Sequence, residues 1–145
     1  MRLSKHFTLD EFTRSDTAVR RGIDNTPSPT IAARLTATAT HMERVRGLLG
    51  HPIKVNSGYR SHTLNAAVGG AATSAHTQGY AVDFVCPDFG TPTDIVRALA
   101  DSNVPYDKVI NEGSWVHISF DPRMRRIALV ADFSSGKPTY TEGVA

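Results

Sequence analysis

The sequence is poor in cysteine and in long apolar runs, and each shortage excludes a class of protein. Its 145 residues include one cysteine, Cys86, so no internal disulfide can form. No apolar segment approaches the ~20 residues of a membrane-spanning helix, and we expect no insertion into a membrane. Residues 1–12 also lack the apolar stretch and the cleavage site of a signal peptide, which predicts synthesis in the cytoplasm.

Strong charge of either sign is also missing. The formal net charge is +2, and there is no block of five or six basic residues, so we expect no binding to nucleic acid. The charge is uneven, however: residues 1–60 carry ten Lys or Arg and five Asp or Glu, whereas residues 61–122 carry two and seven. This is either ordinary surface variation, or acidic groups surround a cation while basic flanks face an anionic polymer.

Capping and spacing patterns predict helices in the first half of a single domain over residues 1–145. A capping box from Thr8 to Glu11 opens a short helix. Ser28 and Pro29 begin a long helix that ends at Gly50. Its apolar residues fall on one buried stripe, formed by Ile31, Leu35, Ala39, Met42, Val45 and Leu49.

The second half is richer in short β-branched and aromatic segments. Thr91 and Pro92 open a further helix, and residues 61–68 form a short one. The predicted strands are Ile53–Ser57, Tyr80–Val85, Tyr106–Ile110, Trp115–Phe120 and Arg125–Ala131. The last dozen residues are polar and predict no regular element. Helices followed by hairpin-connected strands indicate an α+β fold, with N-terminal helices packed on a small antiparallel sheet.

Two of these strands carry side chains that bind metals. Asp83 lies on a strand whose opposite face is apolar, and His117 shares a strand face with Trp115 and Ser119. His76 lies shortly before Asp83. Two imidazoles and one carboxylate suit zinc and leave a fourth position open, although each histidine alone is also explained as a hydrogen-bonded core residue. The other histidines lie on helices, at element ends or in loops, and we expect structural roles for them: His6, His41, His51 and His62.

Five segments together form a more specific pattern. They are Ser57-Gly-Tyr-Arg-Ser61, Leu64-Asn65, Val68-Gly-Gly70, Ser74-Ala-His-Thr-Gln-Gly-Tyr-Ala-Val-Asp83 and Trp115-Val-His-Ile-Ser119. This pattern resembles the zinc peptidases of the D-Ala-D-Ala carboxypeptidase group. That group includes phage endolysins with L-alanyl-D-glutamate endopeptidase activity and shares its fold with the hedgehog signalling domain. Residues 3–9 and 22–27 are similar to the endolysin-type subgroup.

The resemblance implies roles for individual residues. His76, Asp83 and His117 would hold one zinc ion, and Arg60 would polarise the scissile carbonyl or bind a substrate carboxylate. Relatives place a catalytic carboxylate shortly before the last histidine, and here the candidate is Glu112. Its offset of five is odd, so a continuous strand would point Glu112 away from the metal unless Gly113 bends the chain. Asp107 is the alternative base.

Other candidates near the site have two interpretations each. Ser74 and Gln78 either hydrogen-bond the substrate or serve only as turn residues. Trp115 either walls the substrate groove or packs in the core. Cys86 lies on the strand face opposite Asp83, and we expect a buried free thiol rather than a ligand.

The resemblance implies a monomeric peptidase that cuts the stem peptides of bacterial peptidoglycan. An L-Ala-D-Glu endopeptidase and a D,D-carboxypeptidase both fit the motifs. Since no signal peptide is expected, the enzyme would reach the wall after phage or prophage lysis. The alternative is a non-catalytic zinc-containing module that binds the cell wall or a protein; Glu112 and Arg60 argue against it.

Overall fold

The computed structural model describes residues 1–145 and contains five α-helices, one 3-10 helix and six strands. The helices are α1 Leu9–Thr13, α2 Asp16–Arg21, α3 Pro29–Leu49, α4 His62–Ala67 and α5 Pro92–Asp101, with the 3-10 helix at Ala75–Gln78. The strands are β1 Lys54–Ser57, β2 Ala81–Val85, β3 Lys108–Asn111, β4 Val116–Ser119, β5 Ile127–Asp132 and β6 Thr139–Glu142. None of the helices combines the length and apolar character needed to cross a membrane.

The strands form one sheet in the order β1-β2-β4-β3-β5-β6. Every neighbouring pair is antiparallel except β3 and β5, which are parallel, so the sheet is mixed where we expected an antiparallel one. The physical reason lies in the connection after β4. Ser119 at the end of β4 and Ile127 at the start of β5 both pair with Lys108 at the start of β3. The chain therefore crosses the end of β3 between these two strands, and β5 runs parallel to β3.

Helix α3 follows from the sequence signals at its ends and along its length. The Ser28 hydroxyl accepts a hydrogen bond from the backbone N–H of Ile31 at 3.2 Å, and Pro29 occupies the first turn, as the predicted start requires. The helix ends at Gly50. The predicted stripe is confirmed from Leu35 to Leu49, whose apolar members are all buried, while Ile31 at the first turn is half-buried.

The sheet has one apolar face and one polar face. Alternate residues of the central strands are fully buried in the core, including Val82, Phe84, Val109, Val116 and Ile118. Helices α3 and α5 pack against each other, and α5 contacts β3 and β4. The alternating residues of the same strands therefore point to the opposite face of the sheet, where Asp83 and His117 lie.

The C-terminal residues contain an element that the sequence did not predict. The segment Thr139–Glu142 forms strand β6 and pairs antiparallel with β5. Leu129 lies opposite Glu142, and Asp132 lies opposite Thr139. All four of its residues are exposed, so no alternation of apolar and polar side chains marks it as a strand. Strand β6 is held by backbone hydrogen bonds to β5, and the residue pattern of a segment does not predict such pairing.

An ion pair between the buried Asp107 and the exposed Arg125 holds the start of β3 against the chain that leads into β5. The Asp107 carboxylate is 2% exposed and accepts hydrogen bonds from Arg125 Nε at 2.8 Å, Arg125 Nη2 at 2.9 Å and the Arg125 backbone N–H at 3.1 Å. The hydrogen bonds from Arg125 lower the pKa of Asp107 and outweigh the opposing effect of burial. The pair therefore fixes the loop that carries the chain over β3.

We expect Asp107→Asn to lower the Tm by about 2–8 °C at neutral pH, because a buried acceptor of a charge-assisted fork is lost. The folded pKa of Asp107 lies below its ordinary value. Its stabilisation is therefore present above about pH 4 and is lost as the pH falls through the folded pKa. Thermal unfolding followed between pH 7 and pH 3 should show the two proteins converging in acid.

The matched control is the exposed pair between Asp121 and Arg123, in which Arg123 Nε lies 3.0 Å from Asp121 Oδ1. An exposed ion pair contributes little, so Asp121→Asn should move the Tm by no more than about 2 °C. Equal shifts in the Asp107 and Asp121 variants would contradict a special role for the pair formed by the buried Asp107.

Candidate metal centre

Two neighbouring strands bring an aspartate and a histidine together on the polar face of the sheet. Strands β2 and β4 pair with Asp83 directly opposite His117, and His117 Nδ1 lies 2.9 Å from Asp83 Oδ1. The adjacent pair, Val82 opposite Ile118, is fully buried in the core. A slip of one residue would put the carboxylate into that core, so the apolar face fixes this register.

His76 reaches the same carboxylate from the 3-10 helix Ala75–Gln78. Its ring is 2% exposed, and Nδ1 donates a hydrogen bond to the Gly58 carbonyl oxygen at 2.7 Å. Its Nε2 lies 3.1 Å from Asp83 Oδ1. Because a carbonyl oxygen only accepts hydrogen bonds, the ring proton sits on Nδ1 and Nε2 faces the carboxylate.

Gly58 has a packing reason to be glycine. A Cβ atom at this position would lie 2.6 Å from the Phe12 carbonyl oxygen, at the end of α1. The next residue, Tyr59, donates its backbone N–H to the same oxygen at 2.7 Å. This close approach of two backbones places the Gly58 carbonyl where it orients His76.

The three side chains fit a zinc ion. One ligand atom from each of His76, Asp83 and His117 lies within 4.8 Å of the others. Burial lowers the pKa of His76, so its Nε2 presents a lone pair to the carboxylate, an arrangement that a cation between them stabilises. Burial alone would raise the pKa of Asp83, but the hydrogen bond from His117 and the proximity of the His76 ring hold that pKa well below its ordinary range. An ionised carboxylate and two imidazoles are donors that zinc prefers, and three such donors leave one coordination position for water or substrate.

Arg60 lies beside this group and has an unpartnered side-chain nitrogen. Its Nε is buried without a hydrogen-bond partner, and the residue lines the same cleft as His76 and Asp83. Burial lowers the pKa of the Arg60 guanidinium while the charge of Asp83 opposes that shift, and the group remains charged at any ordinary pH. A half-buried cation with an unused donor can bind an oxyanion or a carboxylate.

The backbone around Arg60 is held by Asn25. The Asn25 amide donates to the Tyr59 carbonyl oxygen at 3.1 Å and to the Thr13 carbonyl oxygen at 2.8 Å, and its Oδ1 accepts from the Ser61 N–H at 2.7 Å. These bonds contact the residues on both sides of Arg60. The segment 22–27, which we noted only for its resemblance, thus braces the arginine loop.

Hairpin register explains how Glu112 reaches the site. Strands β3 and β4 pair with Ile110 opposite His117, and the Glu112 N–H donates to the Trp115 carbonyl oxygen at 3.0 Å. Only Gly113 and Ser114 make the turn, and Gly113 has φ +86°. Residues opposite each other share a face, so Glu112, Trp115 and His117 all point to the polar face. The odd offset along the sequence does not point Glu112 away, because the turn at Gly113 and Ser114 reverses the chain and places Glu112 opposite Trp115.

Glu112 and the three metal-binding candidates line one cleft of about 1030 Å³. Burial raises the pKa of Glu112, and the charge of Asp83 adds to this effect while His117 opposes it. A carboxylate with a raised pKa is suited to accept and return a proton near neutral pH. Asp107, the alternative base, also borders the cleft, but both of its oxygens are occupied by Arg125.

The remaining candidates have mixed surroundings. Ser74 lines the cleft, but its hydroxyl accepts the His76 backbone N–H at 3.2 Å and so caps the 3-10 helix. Gln78 lines the cleft with its Oε1 accepting from Arg34 Nη1 at 2.9 Å, which leaves its amide free. Trp115 is half-buried and lines the cleft instead of joining the core.

The other histidines and the cysteine lie outside the metal group. His6 Nδ1 pairs with Glu43 at 2.6 Å, and the His41 ring stacks on Phe120 with centroids 5.0 Å apart. Cys86 is a buried free thiol, as predicted, and its Sγ lies 3.3 Å from the Pro52 carbonyl oxygen.

Sequence reasoning missed several residues of the cleft. Tyr80, Lys108 and Tyr140 all line it. Lys108 was identifiable in principle, because a two-residue turn at Gly113 and Ser114 pairs Lys108 with Ser119, which shares the strand face of His117. Tyr140 lies on β6, which no residue pattern indicates.

Comparisons with known proteins agree with this geometry. The family model of peptidase M15 matches residues 5–119, and so covers the three metal-binding candidates. A zinc D-Ala-D-Ala carboxypeptidase from Streptomyces albus G is 35% identical over 79 residues, which cover 54% of this chain. The aligned segment spans 30% of the length of that relative. The match to the family model extends over well more than half of the chain and confirms the family that the motifs predicted: the chain belongs to peptidase family M15.

Proposed function

We propose that this protein is a zinc metallopeptidase that hydrolyses peptide bonds in the stem peptides of bacterial peptidoglycan. The observation that carries the proposal is the shared face of β2, β3 and β4. There the donors of His76, Asp83 and His117 converge, and Glu112 lines the same cleft. A metal group alone is compatible with a structural site, but a half-buried carboxylate beside it is what hydrolysis requires.

The residues divide the reaction between them. His76, Asp83 and His117 would hold the zinc ion, which would supply Lewis-acid activation of a water molecule and of the scissile carbonyl. Glu112 accepts the proton of the attacking water and delivers it to the leaving amine, a role for which its raised pKa is suited. Arg60 donates to the oxygen on which negative charge develops, using the guanidinium that has no carboxylate partner in the structure.

The substrate class is inferred from the family and from the cleft. The relative named above is a D-Ala-D-Ala carboxypeptidase, and a cleft of about 1030 Å³ is large enough for a peptide of several residues. The resemblance of residues 3–9 and 22–27 to endolysins extends the proposal to an enzyme that acts on the wall after phage or prophage lysis. Ser74, Gln78 and Trp115 are then substrate-contacting residues of the cleft.

The direct test is to incubate the zinc-loaded protein with purified wall fragments and to identify new termini by mass spectrometry. We expect new chain ends in the stem peptide: an N-terminal D-Glu for an endopeptidase, or released D-Ala for a carboxypeptidase. Removal of zinc by a chelator should stop the reaction. In parallel, His117→Ala should lose both the metal and the activity, because two protein donors hold zinc poorly.

Two results would contradict the proposal. Intact wall peptides in the presence of stoichiometric zinc would favour the non-catalytic binding module. Full zinc content in the His117→Ala variant, measured by metal analysis, would show that the donor set is wrong.

Glu112→Gln is expected to keep the fold and the zinc but to lower turnover by about 10²–10⁴, because the amide cannot accept the proton. Peptide binding should be nearly unchanged, so the loss should appear in kcat with little change in KM. Asp107→Asn is the control: it removes a carboxylate from the same cleft, but one that is paired with Arg125. Turnover retained by Glu112→Gln and lost by Asp107→Asn would reverse the assignment of the base.

Arg60→Ala should keep zinc but lose about 10²–10³ in turnover, the usual cost of one oxyanion partner. Arg60→Lys should recover little, because an ammonium does not reproduce the planar fork of the guanidinium. Steady-state kinetics of the two variants test this role of Arg60, and the zinc content of each variant checks that it is folded. Near-normal rates in both would make Arg60 an ordinary half-buried residue of the loop.

A further inference from the structure

Strand β3 and the residue that follows it present three different side chains along the polar face of the sheet. Lys108 and Ile110 of β3 and Glu112 directly after it alternate with the buried Val109 and Asn111, and all three line the cleft. Ile110 pairs with His117, and Lys108 pairs with Ser119 on the same neighbouring strand. At about 3.3 Å per residue, the Cα atoms of Lys108 and Glu112 lie about 13 Å apart, and Ile110, which pairs with His117, lies between them. The cleft therefore has a positive end and a negative end.

Lys108 is the one unpaired charge at its end of the cleft. The neighbouring acids are each matched by their own arginine, Asp107 by Arg125 and Asp121 by Arg123. Lys108 itself takes part in no ion pair. It is half-buried, so part of its side chain is covered by the cleft.

Its surroundings favour an anionic ligand. Lys108 stands between Ser119, which is 2% exposed, and Ile127 of β5, and the apolar Ile110 and Leu129 extend the floor of the cleft from there. An apolar floor strengthens the attraction between opposite charges. At the other end, Glu112 repels a carboxylate. An anionic peptide is thus attracted by one end of β3 and repelled by the other.

We propose that Lys108 is a substrate-binding residue that pairs with a carboxylate of the peptide and so sets the direction in which the chain crosses the metal centre. The inference rests on the proposed function and adds the substrate class: an acidic peptide whose carboxylate lies within about two residues of the scissile bond, given the spacing of two residues between Lys108 and Ile110. A neutral peptide of the same shape binds less well.

The experiment uses a synthetic stem pentapeptide that begins with L-alanyl-D-glutamate and ends with D-alanyl-D-alanine. Two further forms carry a carboxamide in place of either the D-glutamate α-carboxylate or the C-terminal carboxylate. We expect the zinc-loaded wild type to show a kcat/KM about 3- to 10-fold higher for the free acid than for one of the amides, mainly through KM. The amide that reacts poorly identifies the carboxylate that Lys108 binds.

Variants separate this contact from general charge. Lys108→Met should remove the preference for the acid by raising KM for that peptide only, Lys108→Arg should retain most of it, and Lys108→Glu should reverse it. Lys54→Met is the matched control, because it removes an exposed lysine of the same sheet that does not line the cleft. Its acid-to-amide ratio should equal that of the wild type. Zinc content and Tm check that each variant is folded.

Failure of this inference can be told apart from failure of the proposed function. If the wild type cleaves acid and amides equally, or if Lys108→Met keeps the preference, Lys108 is a solvated lysine and the peptidase stands. If no peptide is cleaved, calorimetric binding of the same three peptides decides. Weaker binding of the acid to Lys108→Met than to wild type supports the contact, and equal binding overturns it.

Discussion

The pairing of Asp83 with His117 across β2 and β4 is the constraint on which the site depends. One oxygen of Asp83 lies 2.9 Å from His117 Nδ1 and 3.1 Å from His76 Nε2. The carboxylate is thus the common neighbour of both imidazoles. It remains ionised because its interactions with the two rings outweigh the effect of burial, which alone would raise its pKa. A zinc ion at this point is stabilised by that fixed negative charge.

The core on the other face of the sheet holds this arrangement in register. Every residue that faces the metal alternates with one that is fully buried, such as Val82 beside Asp83 and Ile118 beside His117. A register shift would expose the apolar set and bury the charged one, at a large cost in free energy. The same hairpin register brings Glu112 to the metal face. Packing energy from the core therefore determines the geometry of the polar groups.

The loops that complete the site are fixed by backbone contacts rather than by apolar packing. The Gly58 carbonyl orients His76, and a side chain at that position would collide with the backbone of Phe12. Asn25 bonds the backbone on both sides of Arg60. The N-terminal segment and α1 thus position the groups around the metal, even though they contribute none of its ligands.

The sequence by itself determined the starts of α1, α3 and α5, the buried stripe of α3, the apolar strand faces and the metal-binding residue types, because capping, periodicity and ligand chemistry are local properties. Only the tertiary structure decided that β5 lies parallel to β3, that β6 exists, and that Asp107 is occupied by Arg125. It also decided that Glu112 shares a face with His117. These features depend on which strands become neighbours and in what register. That choice follows from burying one face of the whole sheet, so no single segment of the chain encodes it.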